Sequence, residues 1–289
     1  MRTSCLIRHG LWQRPPIRGP WTRLQRRVCS SQWVPPLLVE TPRVEPLTRL
    51  DVSSSRLSRV FLASFATGQW QANCYVVAAP GVAECVVIDA GQGAAPSIRQ
   101  VLAEHQLRPK GVLATHGHFD HVADAAEIAD EYNVPLWIHS ADRDLLTEPA
   151  AGLSPEGAAL VKQVLRSPMA EPARVEEFDG LTELTLARLR FSVTHAPGHT
   201  GGSVLLGLDY RGRNAQIDRI VFSGDVVFAG SVGRTDLPGG DPRVMAATLR
   251  DVVLALPDTA ALLPGHGPQT SMARERLENP YLQPAAMRN

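Results

Sequence analysis

Lysine is nearly missing from the chain: Lys110 and Lys162 stand alone, and the other fixed cations are arginines. With abundant alanine, glycine and proline, this reads as the base composition of a GC-rich genome rather than selection for charge. Basic and acidic residues balance at 29 each, so no net field points to nucleic acid or an anionic membrane as a partner. No apolar run approaches the roughly 18 residues of a membrane span. Cysteine is sparse as well. Cys5, Cys29, Cys74 and Cys85 form no CxxC pair and no disulfide framework. Cys74 and Cys85 fall in apolar runs and are expected as buried, reduced thiols, which fits a reducing, cytoplasmic compartment.

Residues 1–39 lack acids altogether, yet carry seven arginines and Trp12, Trp21 and Trp33. An Arg-rich, acid-free start suits a mitochondrial transit peptide. Against that, Pro15, Pro16, Pro20, Pro35 and Pro36 would break an amphipathic helix, and no continuous apolar segment suggests secretion. No methionine lies between Met1 and Met169, so the true start could sit near Val52 or Val60 on another codon. Residues 1–58 are therefore expected to be an extension that is disordered, targeting or misassigned, ahead of one domain over residues 59–289. The disordered or misassigned reading is favoured over a targeting peptide.

From Val60 the pattern is that of a folded domain. Val60–Phe65, Cys74–Ala79 and Glu84–Asp89 read as strands, and Ser97–Gln106 as a helix. A buried strand, Gly111–Ala114, leads into the most informative stretch. Next come a helix over Ala123–Tyr132, a strand over Val134–Ile138, a short helix near Asp142–Leu146 and a helix over Ala158–Leu165. The second half repeats the idea, with strands at Leu181–Leu186, Leu189–Thr194, Ser203–Leu208 and Ile220–Ser223. A helix over Arg243–Leu256, a strand over Ala261–Leu263 and a helix near Ser271–Leu277 close the chain. That order suggests an α+β fold of two sheets packed face to face with helices outside.

The informative stretch is Gly111–Val122, GVLATHGHFDHV. His116, His118, Asp120 and His121 occupy six positions after a buried strand. Such a group is costly to bury unless a cation sits among its members. Three later residues stand in the same relation to strand-like runs: His199 in PGHT, Asp225 in SGD and His266 in PGHG. Counting donors, His116, His118 and His199 complete one three-imidazole site. Asp120, His121 and His266 complete a second, and Asp225 bridges them. Nitrogen and oxygen donors without thiolate suit zinc, iron or manganese, with zinc the first expectation for two divalent ions. Two ions at such a spacing hold a bridging hydroxide and polarise a carbonyl oxygen, which is hydrolytic chemistry.

HxHxDH at His116–His121, followed in order by His199, Asp225 and His266, resembles the metallo-β-lactamase superfamily. The resemblance spans about Val60 to Leu282 and implies a four-layer αββα sandwich. An aspartate at position 225 resembles the hydrolase and thioesterase branches, not the β-lactamases that place cysteine there. Only forty residues lie between Asp225 and His266, leaving no room for a nuclease-type cap domain. Gly233–Asp241 and Pro264–Leu282 look like small bacterial glyoxalase II-like hydrolases. That likeness implies a metal-dependent hydrolase of a small-molecule thioester such as S-lactoylglutathione, with Asp120 orienting the attacking hydroxide. Longer glyoxalase II enzymes carry a C-terminal glutathione-binding domain, whereas this chain ends soon after Leu282, which leaves the thiol partner open. The alternatives are a mononuclear-iron persulfide dioxygenase of the same fold and a non-catalytic or redox module. Arg234 is a candidate for a substrate carboxylate or for pairing with Asp236 or Asp241. Asn73 is either a substrate contact or a plain turn residue. Asp89 is expected to brace the metal loop from behind.

The extension can be tested directly. Intact-mass measurement of the protein from its native host is expected to place the N-terminus near Val52–Val60, and a mature N-terminus near Met1 would overturn the misassigned start.

Overall fold

The computed structural model describes residues 60–165, 168–210 and 217–284. The extension over residues 1–58 lies outside them. Strands β1 (Phe61–Thr67), β2 (Ala72–Ala78) and β3 (Glu84–Ile88) form a meander. Helix α1 (Ala95–Glu104) crosses to β4 (Arg108–Leu113), which pairs parallel with β3. The one-turn helix α2 (Phe119–Val122) and α3 (Ala125–Tyr132) then lead to β5 (Leu136–Ile138). Two 3₁₀ turns, Ser140–Leu146 and Pro149–Gly152, precede α4 (Pro155–Val164). A three-residue strand, β6 (Val175–Glu177), finishes the first sheet in the order β1-β2-β3-β4-β5-β6.

The second sheet is built from β7 (Glu183–Leu186), β8 (Leu189–His195), β9 (Val204–Asp209) and β10 (Arg219–Gly224). A small hairpin follows, β11 (Val227–Phe228) and β12 (Ser231–Val232). Helix α5 (Pro242–Thr248), β13 (Ala260–Pro264), β14 (Thr270–Ser271) and α6 (Met272–Glu278) complete the domain. The sheet order is β14-β13-β10-β9-β8-β7, with β13 parallel to β10. Among the described residues, no helix is long and apolar enough to cross a membrane.

Strand alternation produces the layers. On β2, Cys74, Val76 and Ala78 face one way and pack with Ile98 and Leu102 of α1 and Ile128 of α3. Tyr75 and Val77 face the other way, where they meet Phe191, Leu206, Leu208 and Phe222 of the second sheet. Leu205, Val221 and Leu262 point out of the far side onto Met245, Leu249, Val253 and Met272. Helix, sheet, sheet and helix follow in turn, the expected αββα sandwich. Cys74 and Cys85 are buried free thiols, and burial pushes the Cys85 thiol up to about 12.

Some elements differ from the sequence reading. The helix expected over Arg243–Leu256 is α5 followed by a π-helical turn, Leu249–Val253. Strands β6, β11, β12 and β14 have two or three residues each, too short for an apolar alternation to register.

Phe222 is fully buried between the sheets and meets the Tyr75 ring edge-on, with centroids 5.2 Å apart. Phe222→Ala is expected to cost about 3–5 kcal/mol in denaturant unfolding at constant metal loading, since the sandwich cannot collapse around the cavity.

Candidate metal centre

The seven predicted donors leave the C-terminal ends of four strands on one edge of the sandwich. His116 and His118 follow β4, His199 follows β8, Asp225 follows β10 and His266 follows β13. Asp120 and His121 sit in α2, whose first turn favours an acidic side chain. Strand ends suit this task because the ladder fixes the backbone to within five residues of each of these donors.

Four imidazoles are oriented by what their outer nitrogens meet. His199 Nδ1–H donates to the Arg234 carbonyl at 2.8 Å, and His266 Nδ1–H to the Trp70 carbonyl at 3.0 Å. His121 Nδ1–H donates to Asp89 Oδ2 at 3.0 Å. Thr115 Oγ1 gives its proton to Asp89 Oδ2 at 2.8 Å, so toward His116 Nδ1, 3.2 Å away, it acts as acceptor. In each ring the Nδ1 proton is used outward, which leaves the Nε2 lone pair facing inward. Asp89 thus braces the loop from behind, also accepting from Thr115 N at 2.7 Å. It does so from a left-handed backbone, φ 54°, that a non-glycine residue rarely adopts.

The inward atoms form three overlapping groups: His116, His118 and His199; His116, His121 and Asp225; and Asp120, His121 and His266. His118 Nδ1 lies 2.8 Å from His199 Nε2, and His121 Nε2 lies 3.2 Å from His266 Nε2. Asp225 stands between the groups, with Oδ1 3.4 Å from His121 Nε2 and Oδ2 3.5 Å from both His199 and His266 Nε2. Asp120 Oδ2 is 3.2 Å from His266 Nε2. His116 Nε2 and Asp225 Oδ1 are buried with no hydrogen-bond partner. Buried lone pairs converging without donors are what a cation satisfies, so the residues fit divalent metal, and a nitrogen–oxygen set accepts zinc, iron or manganese.

Electrostatics without metal show the same demand. Burial, then the neighbouring imidazoles, push His116 well below its ordinary value, and the same causes bring His118 to about 3. Burial acts downward on His121 too, yet the carboxylates of Asp225, Asp120 and Asp89 hold it at about 10. Protons there occupy the place of cations.

A residue that sequence reasoning missed ties the loops together. Asp142, buried in the 3₁₀ turn after β5, accepts from Gly117 N at 2.8 Å and Thr200 Oγ1 at 2.6 Å through Oδ2. Its Oδ1 accepts from Gly202 N at 2.7 Å. One carboxylate therefore joins the His116–His118 loop to the His199 loop. Nothing in its local sequence marks it, because all three partners are remote in the chain. Close backbone approach matters as well: a Cβ on Gly265 would lie 2.2 Å from Asp225 Oδ1, and one on Gly91 1.7 Å from the Asp120 carbonyl.

The two expected substrate contacts are placed differently. Arg234 lines the cleft above the donors, and its guanidinium pairs with Asp236 at 2.6 and 2.7 Å. Asn73 is not among the residues that line that cleft. Its Nδ2 donates to the carbonyls of Pro264 and Gly267 at 2.9 Å each, fastening the turn that carries His266. His139 and His195, at two other strand ends, stack 4.1 Å apart away from the donors. The cleft holds about 420 Å³, and Trp70, Phe119, Leu153, Val161 and Phe228 are among its walls.

A family model described as the metallo-beta-lactamase superfamily matches residues 67–266, a span that includes all seven donors. The chain is 38% identical over 225 residues to the uncharacterized protein Rv2581c of Mycobacterium tuberculosis, covering 78% of this chain and 98% of that protein. It is 32% identical over 197 residues to the hydroxyacylglutathione hydrolase GloC of Haemophilus influenzae, covering 68% and 86%. The solved structure of TTHA1623 in a di-iron-bound form aligns with a TM-score of 0.58 at 31% identity, covering 76% of this chain and 99% of that one.

Because His116 and His118 are held neutral when folded, the unfolded chain binds more protons below its ordinary histidine pKa near 6.5. Their contribution is present above that pH and is lost as pH falls toward about 3. Metal-free protein is expected to lose up to about 1.4 kcal/mol per pH unit per histidine below pH 6.5 in denaturant titrations. His118→Asn should flatten that slope.

Proposed function

Since the chain belongs to the metallo-beta-lactamase superfamily, we propose that this metallo-hydrolase centre cleaves thioesters of small molecules. The observation that carries the reading is the set of overlapping donor groups, with Asp225 within 3.5 Å of His121, His199 and His266, at the floor of an open, largely apolar cleft. The likeness to a hydroxyacylglutathione hydrolase supports it. Two divalent ions, zinc in the first place, bound at His116, His118 and His199 and at Asp120, His121 and His266 would supply an activated water and polarise a carbonyl oxygen. In the net reaction a C–O bond to water forms at the carbonyl carbon, the C–S bond breaks, and a carboxylic acid and a thiol leave.

The chain's own groups have separate tasks. Burial pushes the Asp120 carboxyl up, but His121 and His266 outweigh it and hold the group ionised, below the ordinary carboxylate range. A carboxylate at the cleft floor accepts a hydrogen bond from water and fixes which lone pair faces the carbonyl. Trp70, Phe119 and Phe228 exclude bulk water around the reacting bond. Arg234 holds an exposed pairing with Asp236, a weak contact that a substrate anion can replace.

The test is metal analysis joined to two assays. Chelator-stripped protein reloaded with zinc, iron or manganese is expected to bind two ions and to hydrolyse S-lactoylglutathione or another acyl-thiol without O₂. One iron per chain with O₂ uptake driven by glutathione persulfide would replace this reading with a persulfide dioxygenase. Asp120→Asn is expected to lower kcat by about 10²–10⁴-fold. Full activity with full metal content in that variant would remove Asp120 from its role.

A further inference from the structure

The cleft is walled by more hydrocarbon than a small polar acyl group can use. Part of that wall is the stretch running into α4, where Leu153, Gly157 and Val161 recur every fourth residue and all border the cleft. Gly157 and Val161 lie one turn apart on the same face of α4, and Leu153, in extended backbone just ahead of the helix, joins them in the same wall. The face begins beside the donors, because Gly152 packs on the His118 ring, and a Cβ added there would come within 3.1 Å of it. Val161, at its far end, is the one residue that α4 buries.

Gly157 sits between them. Glycine is a poor helix former, and nothing in the packing requires it: an added Cβ would meet Leu153 Cβ at 3.4 Å and Ser154 Oγ at 3.5 Å, both ordinary contacts. What glycine does leave is a shallow gap between Leu153 and Val161, open to the cleft. The volume of about 420 Å³ stands near the small end of ligand pockets, suiting a slender group rather than a bulky ring system.

Resting on the thioester reading, we infer that the Leu153–Gly157–Val161 face is an acyl subsite. It takes a straight apolar acyl chain that runs from the metal centre along α4, and Gly157 sets how far the chain extends. The exposed Arg234–Asp236 pair offers hydrocarbon nothing, and it leaves a polar surface for the thiol carrier.

Calorimetric titration of the metal-loaded protein with butanoate, hexanoate, octanoate and decanoate tests the subsite through the acids that hydrolysis would release. Affinity is expected to rise about fourfold per methylene until the face is covered and then to level off. The binding heat capacity should grow more negative along the series. Gly157→Leu fills the gap and should move the plateau to shorter chains, while Val161→Ala deepens it and should move the plateau to longer ones. Opposite shifts cannot arise from loss of fold, and metal content is measured alongside. An affinity independent of chain length, or a plateau unmoved by Gly157→Leu, would overturn the subsite. A binding ladder with no acyl-thiol hydrolysed at any length would sustain the subsite and overturn the thioester reading. Hydrolysis without the ladder would do the reverse.

Discussion

Hydrogen bonds from the outer ring nitrogens orient four imidazoles of the centre, and the rest of the site depends on them. Asp89, Thr115 and the carbonyls of Arg234 and Trp70 each engage an Nδ1, so the facing Nε2 atoms have nowhere to turn. A histidine with two free nitrogens rotates and exchanges tautomers, whereas these rings are fixed before any cation arrives. The fold is therefore a device for holding acceptors behind histidines. All four acceptors lie within two residues of a strand end.

Holding the two sheets in one register is the second requirement. His116–His121 belong to the first sheet and His199, Asp225 and His266 to the second, so the donor set exists only across the sandwich. The interdigitated side chains between the sheets set the spacing, and Asp142 makes a local polar tie at the site edge. Exchanging Asp142 for a shorter or apolar residue leaves two buried backbone N–H groups without acceptors, which burial penalises heavily.

The donors were legible because metal chemistry compresses into residue type and spacing. HxHxDH needs its members within one loop and a helical turn, so it survives as a word in the sequence. The later single histidines and Asp225 could be read because each stood beside glycine at the end of an apolar run. Layering was legible for similar reasons: β2 and β3 are long enough for Val and Ile to mark them. Asp142 and Asn73 were not readable, since their partners lie up to 194 residues away and hydrogen bonding leaves no local pattern. Of the cleft wall, Trp70 and Phe119 look like ordinary core or surface positions until the sheets bring them over one floor.

The turn carrying His266 has an implication for how the protein is made. It is fastened to the start of the domain, through Trp70 and Asn73 and through the Tyr75 hydroxyl on the Pro264 carbonyl at 2.7 Å. His266 reaches the ribosome exit 145 residues after His121, the ring it faces. A nascent chain therefore presents the His116–His121 half, open and incomplete, for about half of its synthesis. Only the arrival of β13 closes the second donor group, so metal loading can report that translation of the domain has finished.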